Sequence, residues 1–384
     1  MKISDKIFYV GVNDHEIDLF EGQYKVPDGM AYNSYVIIDE KVAVLDTVDA
    51  DFCEDWLNNI SNLLGDREPD YLIIQHMEPD HSGSIIPFLN KYKNTIVVSS
   101  SKAFTMMNNF FGKQFDAEKI EVTDGSDLKF GTTSLSFVTA PMVHWPEVIM
   151  TYEKNEKVLF SADAFGKFGA LDVEQDWACE ARRYYFGIVG KYGMQVRNLF
   201  TKVAGLDIKT ICPLHGTILD KDLGYYLNLY KIWSGYEVES EGIVIAYTSV
   251  YGNTEKAVNL LANELLELGA KKVVVNDLAR CDMAEVVEDA FRYGTIVLAT
   301  TTYNGEIFPF MREFINHLKE RNYQNRKIAF IENGSWAPVA AKVMREMISS
   351  LKNLTEVGPV IKIMSSVSEQ NISDIKTLAK ELVK

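Results

Sequence analysis

Six consecutive residues, His76-Met77-Glu78-Pro79-Asp80-His81, carry two imidazoles and two carboxylates, four potential metal ligands in one short run. An apolar stretch, Tyr71-Leu-Ile-Ile-Gln75, precedes the run and reads as a buried strand, and Ser82-Gly83-Ser84 after it opens a helix-like segment. The run is therefore expected on a strand-to-helix loop, where irregular backbone lets side chains converge. Three further residues have matching chemistry: His144 in Ala140-Pro-Met-Val-His-Trp-Pro146, Asp163 in Phe160-Ser-Ala-Asp-Ala-Phe165, and His215 in Cys212-Pro-Leu-His-Gly216. Each follows an apolar strand and precedes a turn. Four imidazoles and three carboxylates exceed the needs of one ion and suit two, with one carboxylate bridging. The other two histidines, His15 and His317, have no ligand-type neighbours and read as ordinary residues.

A second chemical feature lies far along the chain, in Tyr247-Thr-Ser-Val-Tyr-Gly-Asn-Thr254, between a strand and a helix starting near Glu255. The hydroxyls of Thr248, Ser249 and Thr254, with the amides of Tyr251, Gly252 and Asn253 at a helix N-terminus, suit a single phosphate group. The spacing is neither G-x-G-x-x-G nor the Gly-Lys-Ser/Thr ending of a nucleotide P-loop. Two more loops, Thr300-Thr301-Thr302-Tyr303-Asn304-Gly305 and Glu332-Asn333-Gly334-Ser335-Trp336, leave the carboxyl ends of later strands, where ligands of a doubly wound sheet bind.

The elements that must position these groups show two rhythms. Up to about residue 235 the pattern is mostly β, with apolar runs at 6–12, 34–46, 71–75, 95–100, 133–138, 148–152 and 158–161. Helical stretches at 51–64, 101–111 and a long one near 176–203 interrupt it, which suggests an α/β sandwich. After Glu237-Val-Glu-Ser-Glu241 the chain alternates strand and helix through five βα units, the pattern of a doubly wound parallel sheet. The boundary is expected at 236–242, giving domains 1–238 and 239–384.

With 384 residues and 47% hydrophobic content, the chain is long enough for two cores. Its formal charge of −15 opposes binding to nucleic acid or to anionic membranes, which attract cationic surfaces. The N-terminus lacks the apolar core of a signal peptide, and no stretch has the length and apolarity of a membrane span, so a cytoplasmic protein is expected. Cys53, Cys179, Cys212 and Cys281 form no C-x-x-C pair, so no zinc ribbon, iron–sulfur cluster or rubredoxin module is encoded.

The seven ligands resemble those of the metallo-β-lactamase fold, whose hydrolases carry H-x-H-x-D-H followed by more distant His, Asp and His. Here Glu78 replaces the second histidine, which moves the set from nitrogen-rich, suited to zinc, towards the mixed donors that suit iron. The H-x-E-x-D-H version is similar to the pattern of flavodiiron proteins, and the resemblance covers essentially the whole chain. It implies a metallo-β-lactamase-like αββα sandwich followed by a flavodoxin-like domain with a five-stranded sheet. One iron would be held by His76, Glu78 and His144, the other by Asp80, His81 and His215, with Asp163 bridging. The three later loops are similar to the FMN loops of flavodoxin domains, with Tyr303 and Trp336 near the flavin ring. Arg182, Arg183, Tyr184 and Tyr185 also match a stretch of the family, although by spacing alone they read as a helix surface. After Gly166, where many relatives have Gln-His, this chain has Lys167-Phe168.

The resemblance further implies reduction of O2 to water and/or of NO to N2O at the diiron site, with electrons relayed through FMN. It implies a head-to-tail homodimer or a dimer of such dimers, and a separate electron donor, rubredoxin or a reduced deazaflavin. Two other classes are carried: a metal-dependent hydrolase using a bridging hydroxide, and a flavin electron shuttle with a vestigial metal site.

Overall fold

The computed structural model describes residues 1–384, which divide into two compact units, Met1–Lys231 and Ile232–Lys384. The division falls inside the helix Leu223–Ser234.

The first unit is built on two sheets. One has six strands, in the order Ile7–Tyr9, Tyr35–Ile38, Val42–Leu45, Tyr71–Ile73, Ile96–Ser99 and Lys119–Glu121. The other has five, in the chain order Asp127–Phe130, Thr133–Thr139, Ile149–Glu153, Val158–Phe160 and Thr210–Cys212. Alternation along each strand sends one face inward: Ile37, Ala43, Leu45, Ile73 and Val98 of the first sheet share a core with Leu135, Phe137, Ile149, Phe160 and Cys212 of the second. Helices Cys53–Leu64 and Ser101–Phe111 bury Trp56, Ile60, Phe104 and Met107, while their polar faces stay in water. This is the expected sandwich.

Asp39 ties the sheets together at one end. From the turn after Tyr35–Ile38 its carboxylate accepts the backbone amides of Thr132 (3.0 Å) and Thr133 (2.8 Å), the Thr133 hydroxyl (2.8 Å) and Lys6 Nζ (2.6 Å). Burial works against the charge, but Lys6 and Thr133 outweigh it and hold the carboxyl well below the usual range. An Asp39→Asn variant should lose about 1–3 kcal/mol of unfolding free energy in urea at pH 7. The folded-state pKa is depressed, so the contribution is complete above the unfolded value near ~4 and fades as pH falls below it. The variant and the parent should therefore converge in stability on acidification; a constant difference would disprove the assignment.

The second unit is one parallel sheet whose main strands run in the order Val273–Asp277, Ser240–Tyr247, Tyr293–Tyr303, Arg326–Asn333, then Leu354–Glu356 and Ile361–Ile363. Numbered along the chain this is the 2-1-3-4-5 order of the flavodoxin-like fold, with the switch point between the first and third strands. The expected fifth strand is split in two, both parts pairing with Arg326–Asn333. Gly358 at φ 70° and Pro359, which has no N–H to give, lie between the parts. A core of Ile243, Ile245, Val297, Ala329 and Ile331 packs under helices Asn253–Glu267 and Glu369–Leu382.

Other local expectations need correction. The long helix expected at 176–203 is interrupted: an α-helix Trp177–Tyr184 passes into a π-helical turn Tyr185–Val189 and a tight turn Gly190–Tyr192 before helix Gly193–Val203. Gly187, Gly190 and Gly193 mark the breaks, since glycine gives up helix stability most readily after proline. The short strands Lys119–Glu121 and Asp127–Phe130 carry too few residues to show a period and fall outside the expected apolar runs, whereas Thr210–Cys212 is the strand expected before His215. No helix is long and apolar enough to cross a membrane.

Candidate functional site

The four-ligand run follows the central strand Tyr71–Ile73, but only half of it is a loop. Pro79 starts a helical turn, Pro79–Ser82, in keeping with proline's preference for the first helical position. Asp80 and His81 therefore ride on a helical turn, and only His76 and Glu78 lie on the irregular stretch before it. Gly83 closes the turn where a Cβ would stand 2.7 Å from the Pro79 carbonyl oxygen and 2.9 Å from the Ala50 nitrogen. The remaining ligands come from the rim of the other sheet: His144 from the connection between Thr133–Thr139 and Ile149–Glu153, Asp163 after Val158–Phe160, and His215 after Thr210–Cys212.

These seven side chains meet in two adjoining groups. In one, His76, Glu78, His144 and Asp163 place ligand atoms within 4.8 Å of one another, and in the other Asp80, His81 and His215 do the same. Asp163 faces both. Its Oδ2 is 3.0 Å from His144 Nε2 and 3.3 Å from His76 Nε2, while its Oδ1 is 3.5 Å from His81 Nε2 and 3.9 Å from His215 Nε2. Glu78 Oε2 completes the first group at 3.0 Å from His144 Nε2, and Asp80 Oδ2 the second at 3.2 Å from His215 Nε2. Ala162 and Phe165, flanking Asp163, both hold positive φ, 50° and 67°, a cost of about 1–2 kcal/mol each. Such backbone strain persists where surrounding structure over-determines it.

The donor chemistry fits cations. Both Asp163 oxygens and both Asp80 oxygens are buried with no hydrogen bond, and the Nε2 atoms of His81 and His215 face each other at 2.9 Å. Left so, buried carboxylates cost several kcal/mol each. Burial disfavours the charged form of His144, yet Asp163 and Glu78 outweigh it and raise the imidazole to about 9. Burial likewise opposes ionisation of Asp163, but His76 and the other imidazoles drive it well below the usual range. Positive charge is what this cavity is built to receive.

Orienting groups surround the ligands. His76 Nδ1 is 2.8 Å from Glu147 Oε1, which also accepts the Met77 amide at 2.9 Å, so Nε2 points inward. His215 Nδ1 donates to the Ala31 carbonyl at 2.8 Å. Asp46 accepts the Gln75 amide at 2.7 Å, the Gln75 side chain at 2.8 Å and the His76 amide at 3.3 Å; burial pushes its carboxyl up to about 6. Sequence reasoning missed Glu147 and Asp46. The only signal was a carboxylate three residues after His144 and another at the end of an apolar strand. A Glu147→Gln variant should bind iron about 10- to 100-fold more weakly while folding normally, as for other groups that orient a metal-bound imidazole. Titration of the metal-free protein with ferrous ion checks this.

Arg182, Arg183, Tyr184 and Tyr185 are buried, which corrects the surface reading their spacing gives. Tyr184 stands 5.5 Å from the His215 ring, centroid to centroid, and its hydroxyl has no hydrogen bond. Phe168 packs edge-on against Phe20 and Tyr184 and tilted against Tyr24, under the Arg183 guanidinium at 4.5 Å. The Lys167 stem lies against Gly216, and its Nζ donates to the Phe168 carbonyl (2.9 Å) and Gln175 (2.7 Å). His15 pairs with Asp172, and His317 packs by Arg321, both outside the two groups.

In the second unit the three expected ligand loops converge at the carboxyl ends of the strands. The hydroxyls of Thr248 and Thr300 are 2.6 Å apart, and the Asn333 amide donates to Thr254 Oγ1 at 3.4 Å. Ser249 Oγ accepts the amides of Gly252 (3.1 Å) and Glu255 (3.3 Å), which shapes the turn before helix Asn253–Glu267; Gly252 sits at φ 82°, where glycine is favoured. Two corrections apply. Thr300, Thr301, Thr302 and Tyr303 continue the strand Tyr293–Tyr303, and the turn itself is Asn304 and Gly305, both at positive φ. Asn333 likewise ends the strand Arg326–Asn333, leaving Gly334, Ser335 and Trp336 as loop. Thr302 Oγ1 accepts the amides of Val339 and Ala340 at the start of helix Ala340–Ile348, while the Thr301 hydroxyl is buried and unpaired. Tyr251 (92%), Trp336 (81%) and Tyr303 (44%) leave their rings exposed at the rim, surfaces suited to a flat aromatic ligand.

Comparison with known proteins agrees with both halves. Residues 30–216 match the ODP family beta lactamase, and residues 244–359 match a flavodoxin domain. A nitric oxide reductase of Moorella thermoacetica is 30% identical over 377 residues, 94% of this chain and 92% of that protein. The anaerobic nitric oxide reductase flavorubredoxin of Escherichia coli is 27% identical over 87% of this chain and 72% of that protein. Among solved structures, the rubredoxin oxygen:oxidoreductase of Desulfovibrio gigas superposes with a TM-score of 0.91 at 25% identity, covering 100% of this chain and 97% of that one. The flavodiiron protein of Giardia intestinalis shares the fold, with a TM-score of 0.89 at 23% identity over 100% and 96% of the two chains. A lactamase-like unit carrying a glutamate in the ligand run, joined to a flavodoxin-like unit, with relatives that match from end to end, places this chain in the flavodiiron protein family.

Proposed function

We propose that this protein is an oxidoreductase that reduces O2 to water and/or NO to N2O at a diiron centre, with electrons relayed through FMN. One observation carries the reading: Asp163 offers one oxygen to each of two ligand groups, in a donor set where Glu78 and Asp80 supply the oxygen ligands that suit iron. His76, Glu78 and His144 would hold one iron and Asp80, His81 and His215 the other. FMN would bind at Thr248, Ser249, Tyr251–Thr254, Thr300–Gly305 and Asn333–Trp336. Residues 1–238 form the metal domain in this reading and 239–384 the flavin domain.

When bound, two ferrous ions and a reduced flavin together supply four electrons, the number that takes O2 to water without releasing partly reduced oxygen. The chain's own groups do the rest. Glu147, Ala31 and Asp46 fix the ligand loops, so no reorganisation is needed as charge changes. The Tyr184 hydroxyl, buried and unpaired beside His215, is placed to donate a hydrogen bond to a small substrate. Phe20, Phe168 and Tyr184 wall the His215 side and exclude water.

The homodimer, a separate donor such as rubredoxin or a reduced deazaflavin, and a cytoplasmic setting belong to the same proposal; the named activities of the relatives support the substrates and the donor. The hydrolase alternative is not favoured, because the relatives are named as nitric oxide reductases and an oxygen oxidoreductase. Anaerobic stopped-flow mixing of the reduced, iron-loaded protein with O2 and then with NO tests the reading. Rapid reoxidation by at least one gas is expected. A zinc-loaded, flavin-free protein that hydrolyses esters or thioesters would instead restore the hydrolase.

A further inference from the structure

Helix Leu223–Ser234 carries tyrosines that the reductase reading does not use. Tyr230 is fully buried, stacks on Phe165 with centroids 4.2 Å apart, and accepts the Phe165 amide at 2.5 Å. Phe165 is two residues from Asp163, so this phenol adjoins the metal cavity. One helical turn on, Tyr226 occupies the same helix face, at the spacing where side chains are neighbours. Tyr226 packs edge-on against Trp177 at 4.6 Å and against Tyr225 at 5.4 Å, and Tyr225 is 53% exposed. On the inner side, Tyr230 lies 5.1 Å from Tyr185, and Tyr184 is 5.5 Å from the His215 ring. Tyr230 and Tyr184 lie within electrostatic reach of each other and of Asp163. A row of oxidisable rings thus runs from the cavity to water.

We propose that Tyr184, Tyr230, Tyr226 and Tyr225, with Trp177 beside them, form an escape route that carries oxidising equivalents from the metal site to the protein surface when electron supply fails. The proposal rests on the O2-reductase reading. Phenol and indole are among the most easily oxidised side chains, and the carboxylates around Tyr184 ease removal of an electron by opposing positive charge. The balance is explicit. Dioxygen needs four electrons and four protons to become two waters; two ferrous ions supply two electrons, and a flavin left oxidised supplies none. Two tyrosines, each losing one electron and the hydroxyl proton to become a neutral phenoxyl, make up the other two electrons and two of the four protons, and solvent supplies the remaining two protons. At the surface, a thiol reductant returns one hydrogen atom to each phenoxyl. Without such a route the oxidant would be spent on the ligands, among them four histidines.

The test uses iron-loaded, FMN-containing protein given two electrons per chain, half of what one O2 requires, then mixed with O2 without donor or thiol. Freeze-quench electron paramagnetic resonance should show a tyrosyl radical, and peptide mass spectrometry should find oxidation at Tyr225. In Tyr226→Phe, which keeps the ring and loses only the hydroxyl, oxidation at Tyr225 should be lost and should appear at Tyr184, Tyr230 or the ligand histidines. Turnover with a full donor supply should match the parent, because Tyr226 touches no ligand. Unchanged Tyr225 oxidation in the variant would overturn the route. So would oxidation confined to Trp145, which packs 5.3 Å from His76 and offers a rival exit. Oxygen consumption with no aromatic oxidation sinks the route and leaves the reductase standing, whereas absence of any reaction with O2 removes both.

Discussion

An Asp163→Ala protein is expected to purify folded and yellow with FMN, yet with its iron lost and its O2 or NO reduction lowered by more than about 100-fold, beyond what orienting residues cost. Asp163 is the side chain that gives one oxygen to each ligand group, so its removal damages both at once. It also leaves His76, His81 and His144 facing one another with less compensating charge, which makes them poorer partners for any cation that stays. Iron per chain, measured by elemental analysis beside flavin absorbance, separates this outcome from misfolding. Retention of full activity would support the shuttle alternative, in which the metal site is vestigial.

A Ser249→Asp protein should keep its iron and lose its flavin. Ser249 Oγ accepts the amides of Gly252 and Glu255, and a carboxylate can accept the same two bonds at a helix N-terminus. The loop should therefore keep its form and the domain its thermal midpoint. At the proposed phosphate loop, however, a new negative charge beside the FMN phosphate would cost on the order of 4 kcal/mol for a separation of about 4 Å at an intermediate dielectric, about a 1000-fold loss of affinity. Fluorescence titration of the flavin-free domain with FMN, and with riboflavin as a phosphate-free control, reads this directly. Riboflavin affinity should be unchanged; a parallel loss for both ligands would place the phosphate elsewhere.

The sequence makes the metal side chains legible because their chemistry is unmistakable and their strands are strongly apolar. His76, Glu78, Asp80 and His81 announce themselves by proximity, and His144, Asp163 and His215 by their places after buried strands. What stays hidden is long-range. Glu147 reaches His76 across 71 positions through the packing of one sheet on the other, and Asp46 reaches Gln75 across 29 between neighbouring strands of one sheet. Local backbone states are hidden as well: the helical turn carrying Asp80 and His81 is only Pro79–Ser82, too short for any periodicity, and the π turn at Tyr185–Val189 arises where glycines and buried tyrosines compete over one helix. In the flavin unit, strand order follows from alternation and right-handed crossovers. The extension of Tyr293–Tyr303 past Ala299 does not, because Thr300 and its neighbours are as typical of turns as of strand ends.

The placement of ligands on both sheets has an effect on how the protein is made. His76, Glu78, Asp80 and His81 leave the six-stranded sheet, whereas His144, Asp163 and His215 leave the five-stranded one, so neither ion can be fully coordinated until the two sheets have closed on each other. On the proposed ligand set, completing either iron site would follow closure of the sheets, and the ions would then serve as rivets across the seam between them. Iron starvation would leave a folded but unriveted sandwich, its rim the first part to open, and resupply would act as a repair that needs no new synthesis.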